Sequence, residues 1–182
     1  MSKYIKSGIP RLSGLIQREH LLARTSEILD YPLTIISSAT GCGKTALASQ
    51  FAGQIEADVV WHSISQYEQD LRVFLLALIQ DLEAVAPDIQ SLRVIMQQPI
   101  ETTIHEITTY LRENVKRDVV IVIDDWHFIT TADADNWLQQ FITALPQKCH
   151  LLLISRRVPE LKMIELIATR RLLNIQQQDL FF

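Results

Sequence analysis

Apolar residues fall into two patterns that alternate along this chain: short unbroken runs, and longer stripes at helical spacing. The runs are Leu33-Thr-Ile-Ile-Ser37, Val59 to Ile64, Val119-Val-Ile-Val-Ile123, Leu151-Leu-Leu-Ile154 and Leu172 to Ile175. Short β-branched runs without a polar alternation predict strands buried on both faces of a parallel sheet. Leu71, Phe74, Leu75, Leu78, Ile79 and Leu82 repeat at the helical period and predict a helix within Asp70 to Glu83. Ile104, Ile107, Leu111 and Val115 do the same for Thr102 to Val115, and Ala134, Trp137, Leu138, Phe141, Ile142 and Leu145 for a helix closed by Pro146. These stripes are core-facing rather than ligand-lining, and Trp61 is expected in the core with them. Lys44 to Phe51 and Leu161 to Ala168 are shorter helices. Pro10 to Leu29 is a lead-in ending in an amphipathic helix, with Leu21, Leu22, Ile28 and Leu29 on one side, and Pro87 to Pro99 is the least patterned stretch. The alternation predicts an α/β fold. It is a doubly wound, parallel, five-stranded sheet with helices on both faces, right-handed crossovers and its ligand site at the carboxyl ends of the strands.

Between the first strand and its helix lies Ser38-Ala-Thr-Gly-Cys-Gly-Lys-Thr45. This reads as a nucleotide-phosphate loop. Gly41 and Gly43 let the chain fold tightly so that successive N–H groups point inward, Lys44 supplies a cation for the β/γ-phosphates, and Thr45 offers a hydroxyl to Mg²⁺. The following helix adds its positive end. Ser38 stands where the common pattern has a glycine, which a serine tolerates if its φ stays negative. The plainer reading is a glycine-rich turn joining a strand to a helix. The loop residues proposed to bind nucleotide are Ser38, Ala39, Thr40, Gly41, Cys42, Gly43, Lys44, Thr45 and Ala46. Cys42, at the start of a helix and beside Lys44, is expected to react with alkylating reagents faster than Cys149.

Such a loop needs a metal-holding carboxylate from another strand. The run Val119 to Ile123 ends in Asp124-Asp125-Trp126-His127. Asp124 is the candidate metal ligand together with Thr45. Asp125, one residue on, is the candidate catalytic carboxylate that polarises an attacking water. His127 is a neighbour only, packed or facing solvent. The run ending at Ile154 leads into Ser155-Arg156-Arg157. Arg156 directly follows the strand and is placed to reach a γ-phosphate, whereas Arg157 points the other way. Lys44, Asp125 and Arg156 thus form the candidate catalytic set.

These residues together resemble the N-terminal nucleotide-binding domain of STAND-class NTPases, and among them the large ATP-binding LuxR-type transcriptional regulators. The resemblance runs almost end to end. It is carried by Pro10-Arg-Leu with Arg18-Glu-His-Leu-Leu22, the loop Ser38 to Thr45, Val60-Trp-His-Ser-Ile64 and Asp70-Leu-Arg-Val-Phe74. Further on it rests on Ile123-Asp-Asp-Trp-His-Phe-Ile129, Leu153-Ile-Ser-Arg156 with Pro159, and Leu173 to Phe181. Serine commonly replaces the first loop glycine in that family. The resemblance implies an ATP/ADP- and Mg²⁺-dependent signalling switch that responds to an inducer, self-associates when ATP-bound and activates transcription. It adds Arg18 to the nucleotide-binding set, and it places the Arg156 strand between the Asp124 strand and the loop strand. Members usually continue through winged-helix, helical-repeat and helix-turn-helix modules. This chain reaches only Asp179-Leu-Phe-Phe182, so one nucleotide-binding domain over 1–182, without DNA binding of its own, is expected.

Composition narrows the alternatives. With 182 residues, 48% of them hydrophobic and 21% charged, the chain can bury one full core. A net charge of −4 and a pI near 5.7 argue against a nucleic-acid-binding surface. The first residues lack the apolar core of a signal segment, and no apolar run approaches the ~20 residues that cross a bilayer. Two cysteines far apart fit reduced thiols in a cytoplasmic protein, and the histidines show no metal-ligand spacing. Three functions fit to different degrees. One is a slowly hydrolysing switch, the second an assembly module that holds nucleotide without turnover. The third, a small P-loop kinase, lacks a lid-like cluster of arginines.

Overall fold

The computed structural model describes residues 4–12, 19–176 and 179. Among the described residues there are six strands: β1 (Lys6–Ser7), β2 (Leu33–Ser37), β3 (Asp58–Ser63), β4 (Val119–Asp124), β5 (Cys149–Ser155) and β6 (Leu172–Ile175). Every pairing is parallel, in the order β1-β3-β4-β5-β2-β6. The five expected strands are all there, and β1 makes a sixth at the edge. The loop strand β2 lies beside β5, which separates it from β4, the order the family resemblance implies.

Helices α1 (Glu19–Leu22), α2 (Lys44–Gln54), α3 (Leu71–Leu82), α4 (Ile100–Asn114), α5 (Ala134–Ala144) and α6 (Met163–Ala168) cover both faces of the sheet. Strand residues alternate between the faces. Val119, Ile121 and Ile123 join the core under α3, α4 and α5, while Val120 and Val122 join the core under α1 and α2. The lead-in departs from expectation. Its helix stops at Leu22 and resumes as a 3-10 turn over Thr25–Asp30. Thr25 Oγ1 donates to the Leu22 carbonyl at 2.5 Å, a side-chain bond that competes with continued helix. The stretch of weak pattern is a second 3-10 segment, Ile89–Gln97.

Strand β1 is held by contacts that its two residues do not advertise. Ile5 N–H donates to Asp58 Oδ1 at 2.7 Å. Lys6 Nζ donates to the carbonyls of Ala52 and Ile55, both at 2.8 Å, so an ammonium closes the carboxyl end of α2. Gly8 follows with φ +74, and a Cβ built there would lie 2.3 Å from the Trp61 carbonyl oxygen. Only glycine fits both demands.

Under the carboxyl ends of β3 and β4 sits an aromatic stack. Phe74 meets Trp126 edge-on at 5.6 Å and Trp137 at 6.0 Å, and Trp137 stacks on Phe141 at 4.7 Å. Such pairs each add about 0.5–1.5 kcal/mol beyond their buried area. Trp126 is 1% exposed and its indole N–H donates to Asp135 Oδ1 at 3.1 Å. It fixes the turn that immediately follows Asp124 and Asp125.

Candidate nucleotide site

The turn from β2 into α2 uses two left-handed glycines, Gly41 at φ +85 and Gly43 at φ +75. Gly43 starts α2, and no side chain caps that helix end, so its first N–H groups stay available for an anion. Ser38 is absent from the residues with positive φ, which is the condition under which serine replaces glycine there without strain. Lys44 is almost fully buried, and its Nζ donates to the carbonyls of Ser38 at 2.7 Å and Ala39 at 2.9 Å. The ammonium is folded back onto its own loop. Desolvation lowers its pKa, opposed by the charges of Cys42, Asp125 and Asp124, while Arg156 lowers it further. All four side chains therefore lie within electrostatic reach of Lys44.

Asp124 ends β4 at 3% exposure. The Thr45 hydroxyl hydrogen-bonds its carboxylate, as does the Asp125 backbone, yet Oδ1 is buried without a partner. Burial first, and the neighbouring Asp125 charge second, push its pKa up to about 6. A buried carboxylate with a free oxygen beside a threonine hydroxyl is the donor set of a hard divalent cation, so the residues present fit Mg²⁺. Asp125 itself adopts a left-handed conformation, φ +64, which aspartate tolerates better than most residues. The main chain turns at that point, leaving Asp124 buried and Asp125 half-exposed.

His127 is more closely tied to this site than its place in the sequence shows. Its Nδ1 lies 3.6 Å from Asp125 Oδ1, its ring stacks on Phe128 at 4.5 Å, and both ring nitrogens are buried without a hydrogen-bond partner. Desolvation lowers its pKa against the pull of Asp125; Arg156, Lys44 and Arg157 lower it further. Arg156 and Arg157 are both exposed, just beyond β5. Ala39, Thr40 and Gly41 are exposed at the loop, and Ala46 is half-buried on α2. Cys42 is half-buried against the core under α2, whereas Cys149 is buried and its thiol is pushed up to about 12, by burial and then by Asp118. Arg18 lies outside the described residues.

One further group at this end of the sheet was given no role by the sequence, although it lies in the run Val60 to Ile64. His62, near the end of β3, places Nδ1 2.7 Å from Asp81 Oδ2 and Nε2 3.5 Å from Glu68 Oε1. Glu68 also accepts from Ser65 N–H at 2.7 Å, and the loop's Gln69 carbonyl accepts from Thr130 N–H at 3.2 Å. The loop after β3 is thereby pinned to the segment after Asp125. Residues 19 positions apart become partners only once α3 has folded back.

The sequence profile described as AAA domain matches residues 30–163. The chain belongs to the AAA domain family. It is a P-loop, AAA-type nucleotide-binding domain. Among known proteins it is 30% identical over 178 residues to the HTH-type transcriptional regulator MalT of Cronobacter sakazakii. It is 29% identical to MalT of Klebsiella pneumoniae over the same length. Each match takes in 94% of this chain and 19% of the relative, so the chain spans about a fifth of their length. Among solved structures, the Walker-type ATPase of Pyrococcus abyssi superposes with a TM-score of 0.51 at 14% identity, over 84% of this chain and 47% of that one. The Orc1 protein of Aeropyrum pernix, solved in complex with DNA, superposes at 0.54 with 16% identity over 92% and 46%. At these identities the structures establish the fold alone.

Proposed function

We propose that this domain is the ATP-dependent switch of a STAND-class, LuxR-type regulator, binding Mg-ATP and ADP and hydrolysing ATP slowly. The observation that carries the reading is the convergence of Lys44, Thr45, Asp124 and Asp125 from two strands at one end of the sheet. The loop N–H groups between Ser38 and Thr45 bind phosphate oxygens. Lys44 exchanges its two loop carbonyls for phosphate, a neutral-acceptor bond for a charge-assisted one. Thr45 and Asp124 hold Mg²⁺, which neutralises phosphate charge when bound. Asp125 accepts a proton from the attacking water, and its half-exposed position keeps it accessible. Arg156 faces the phosphate end and reports whether the terminal phosphate is present. Likeness to MalT regulators over nearly the whole chain supports a role in transcription control, with DNA contact left to other parts of such a protein and a cytoplasmic setting.

Turnover is tested by phosphate release. Asp125→Asn should retain Mg-ATP binding within a few-fold and lose hydrolysis by at least about 100-fold, the usual scale of a general base. Hydrolysis at the wild-type rate in that variant removes Asp125 from the chemistry. Tight binding with no phosphate release from the wild type favours the assembly-module reading instead.

A further inference from the structure

Asp125, the carboxylate assigned to water activation, has one close neighbour of opposite character. His127 Nδ1 lies 3.6 Å from its Oδ1, with the histidine side chain 12% exposed and the aspartate side chain 39%. Among the described residues no lysine or arginine pairs with Asp125. Side chains two positions apart do not face each other on a regular helical turn. These two do: Asp125 enters the 3-10 turn Trp126–Phe128 in the left-handed conformation, φ 64. Such a backbone persists only where its surroundings over-determine it, and it gathers at functional sites. The turn is fixed on each side of the histidine. Phe128 N–H donates to the Asp125 carbonyl and Ile129 N–H to the Trp126 carbonyl, both at 3.0 Å. The Trp126 indole is tied to Asp135, and the His127 ring stacks on Phe128 at 4.5 Å. Both ring nitrogens are nevertheless buried with no hydrogen-bond partner, an arrangement that costs free energy and calls for a reason.

We propose that His127 is a positioning residue for Asp125, its Nδ1–H closing onto Asp125 Oδ1 when Mg-ATP is bound and holding the carboxylate with Oδ2 towards the attacking water. The proposal rests on the hydrolytic role given to Asp125. A separation of 3.6 Å is longer than a hydrogen bond, and catalytic hydrogen bonds are often long without substrate and tighten once it is bound. The half-exposed aspartate supplies the movement by rotation about its own side-chain bonds, since the turn and the Phe128 ring clamp the histidine. A carboxylate can only accept, so the hydrogen must reside on Nδ1. With both nitrogens shielded from solvent, the ring does not meet the attacking water itself and acts through Asp125.

Three measurements on the full chain test this. In the nucleotide-free protein, ring ¹⁵N signals should show His127 protonated at Nδ1. Phosphate release at saturating Mg-ATP should fall about 10- to 100-fold in His127→Phe, which keeps the ring stack; this is the scale of a misplaced catalytic group. Mg-ATP affinity by calorimetry should stay within about threefold in that variant. His127→Asn, whose amide can stand where Nδ1 does, should recover turnover to within about threefold of wild type. Adding His127→Phe to Asp125→Asn should cost less than about threefold further, because no catalytic carboxylate is left to position. Four results would each overturn the proposal while leaving Asp125 in its role. They are a ring protonated at Nε2 alone, wild-type phosphate release from His127→Phe, an Asn variant no faster than the Phe variant, and a full further loss in the double variant. Binding lost in parallel with turnover would make His127 a support of the fold and overturn the proposal as well. Wild-type phosphate release from Asp125→Asn removes the hydrolytic reading instead, and the proposal with it.

Discussion

Ionised Asp124 is a burden that the bare fold carries. Its carboxyl titrates at about 6, above the ordinary range near 4, so between these values the folded chain holds a proton that the unfolded chain has released. Stability of the metal-free protein therefore falls as pH rises from about 4 to about 6, and at neutral pH it stays lower by about 2–3 kcal/mol. Asp124→Asn keeps an oxygen to accept from Thr45 and removes the charge. It should raise the metal-free stability at pH 7.5 by about 1–3 kcal/mol in urea denaturation, while weakening the Mg²⁺-dependent part of nucleotide binding. A variant no more stable than wild type would show that the buried charge is already compensated. Lys44, Thr45, Asp124 and Asp125 stood out in the sequence as candidates because phosphate and metal chemistry would call for these residue types beside a glycine-rich turn and a strand end, and the fold gathers them at one end of the sheet. The left-handed backbone of Asp125 and the approach of His127 to it did not. Both depend on where Trp126 anchors the turn, which is a matter of packing against Phe74 and Trp137.

At the level of elements, periodicity located the strands and helices whose apolar residues pack on the sheet. It failed for β1, whose two residues are too short for any pattern. That strand exists because Asp58 accepts from Ile5, Lys6 closes α2, and Gly8 passes close over Trp61. It failed also for the lead-in helix, where the Thr25 hydroxyl bond to Leu22 interrupts an otherwise amphipathic stretch. The element most exposed to a single change is this edge. Gly8→Ala adds a methyl 2.3 Å from a backbone oxygen at φ +74, combining a steric overlap with an unfavourable left-handed conformation. Together these should cost about 2–4 kcal/mol, measured as a lower denaturation midpoint with little change in m-value. A loss below about 0.5 kcal/mol would mean that the β1 segment moves away freely and contributes little to the fold.

At the scale of the whole molecule, strand order assembles the candidate site. Setting β5 between β2 and β4 brings the loop, the carboxylate pair and Arg156 to one end of the sheet, although Lys44 and Asp125 are distant in sequence. Alternating strands and helices made a parallel sheet legible, but many strand orders satisfy that alternation; the order followed from family resemblance, not from spacing. The central claim is that this end of the sheet binds Mg-nucleotide through the loop lysine. Isothermal titration of Mg-ATP into wild type and Lys44→Ala tests it most directly. Loss of one charge-assisted contact, about 1.5–3 kcal/mol, predicts binding weaker by roughly one to two decades in the variant. Equal affinity in the two proteins, or no binding to the wild type, would contradict the account.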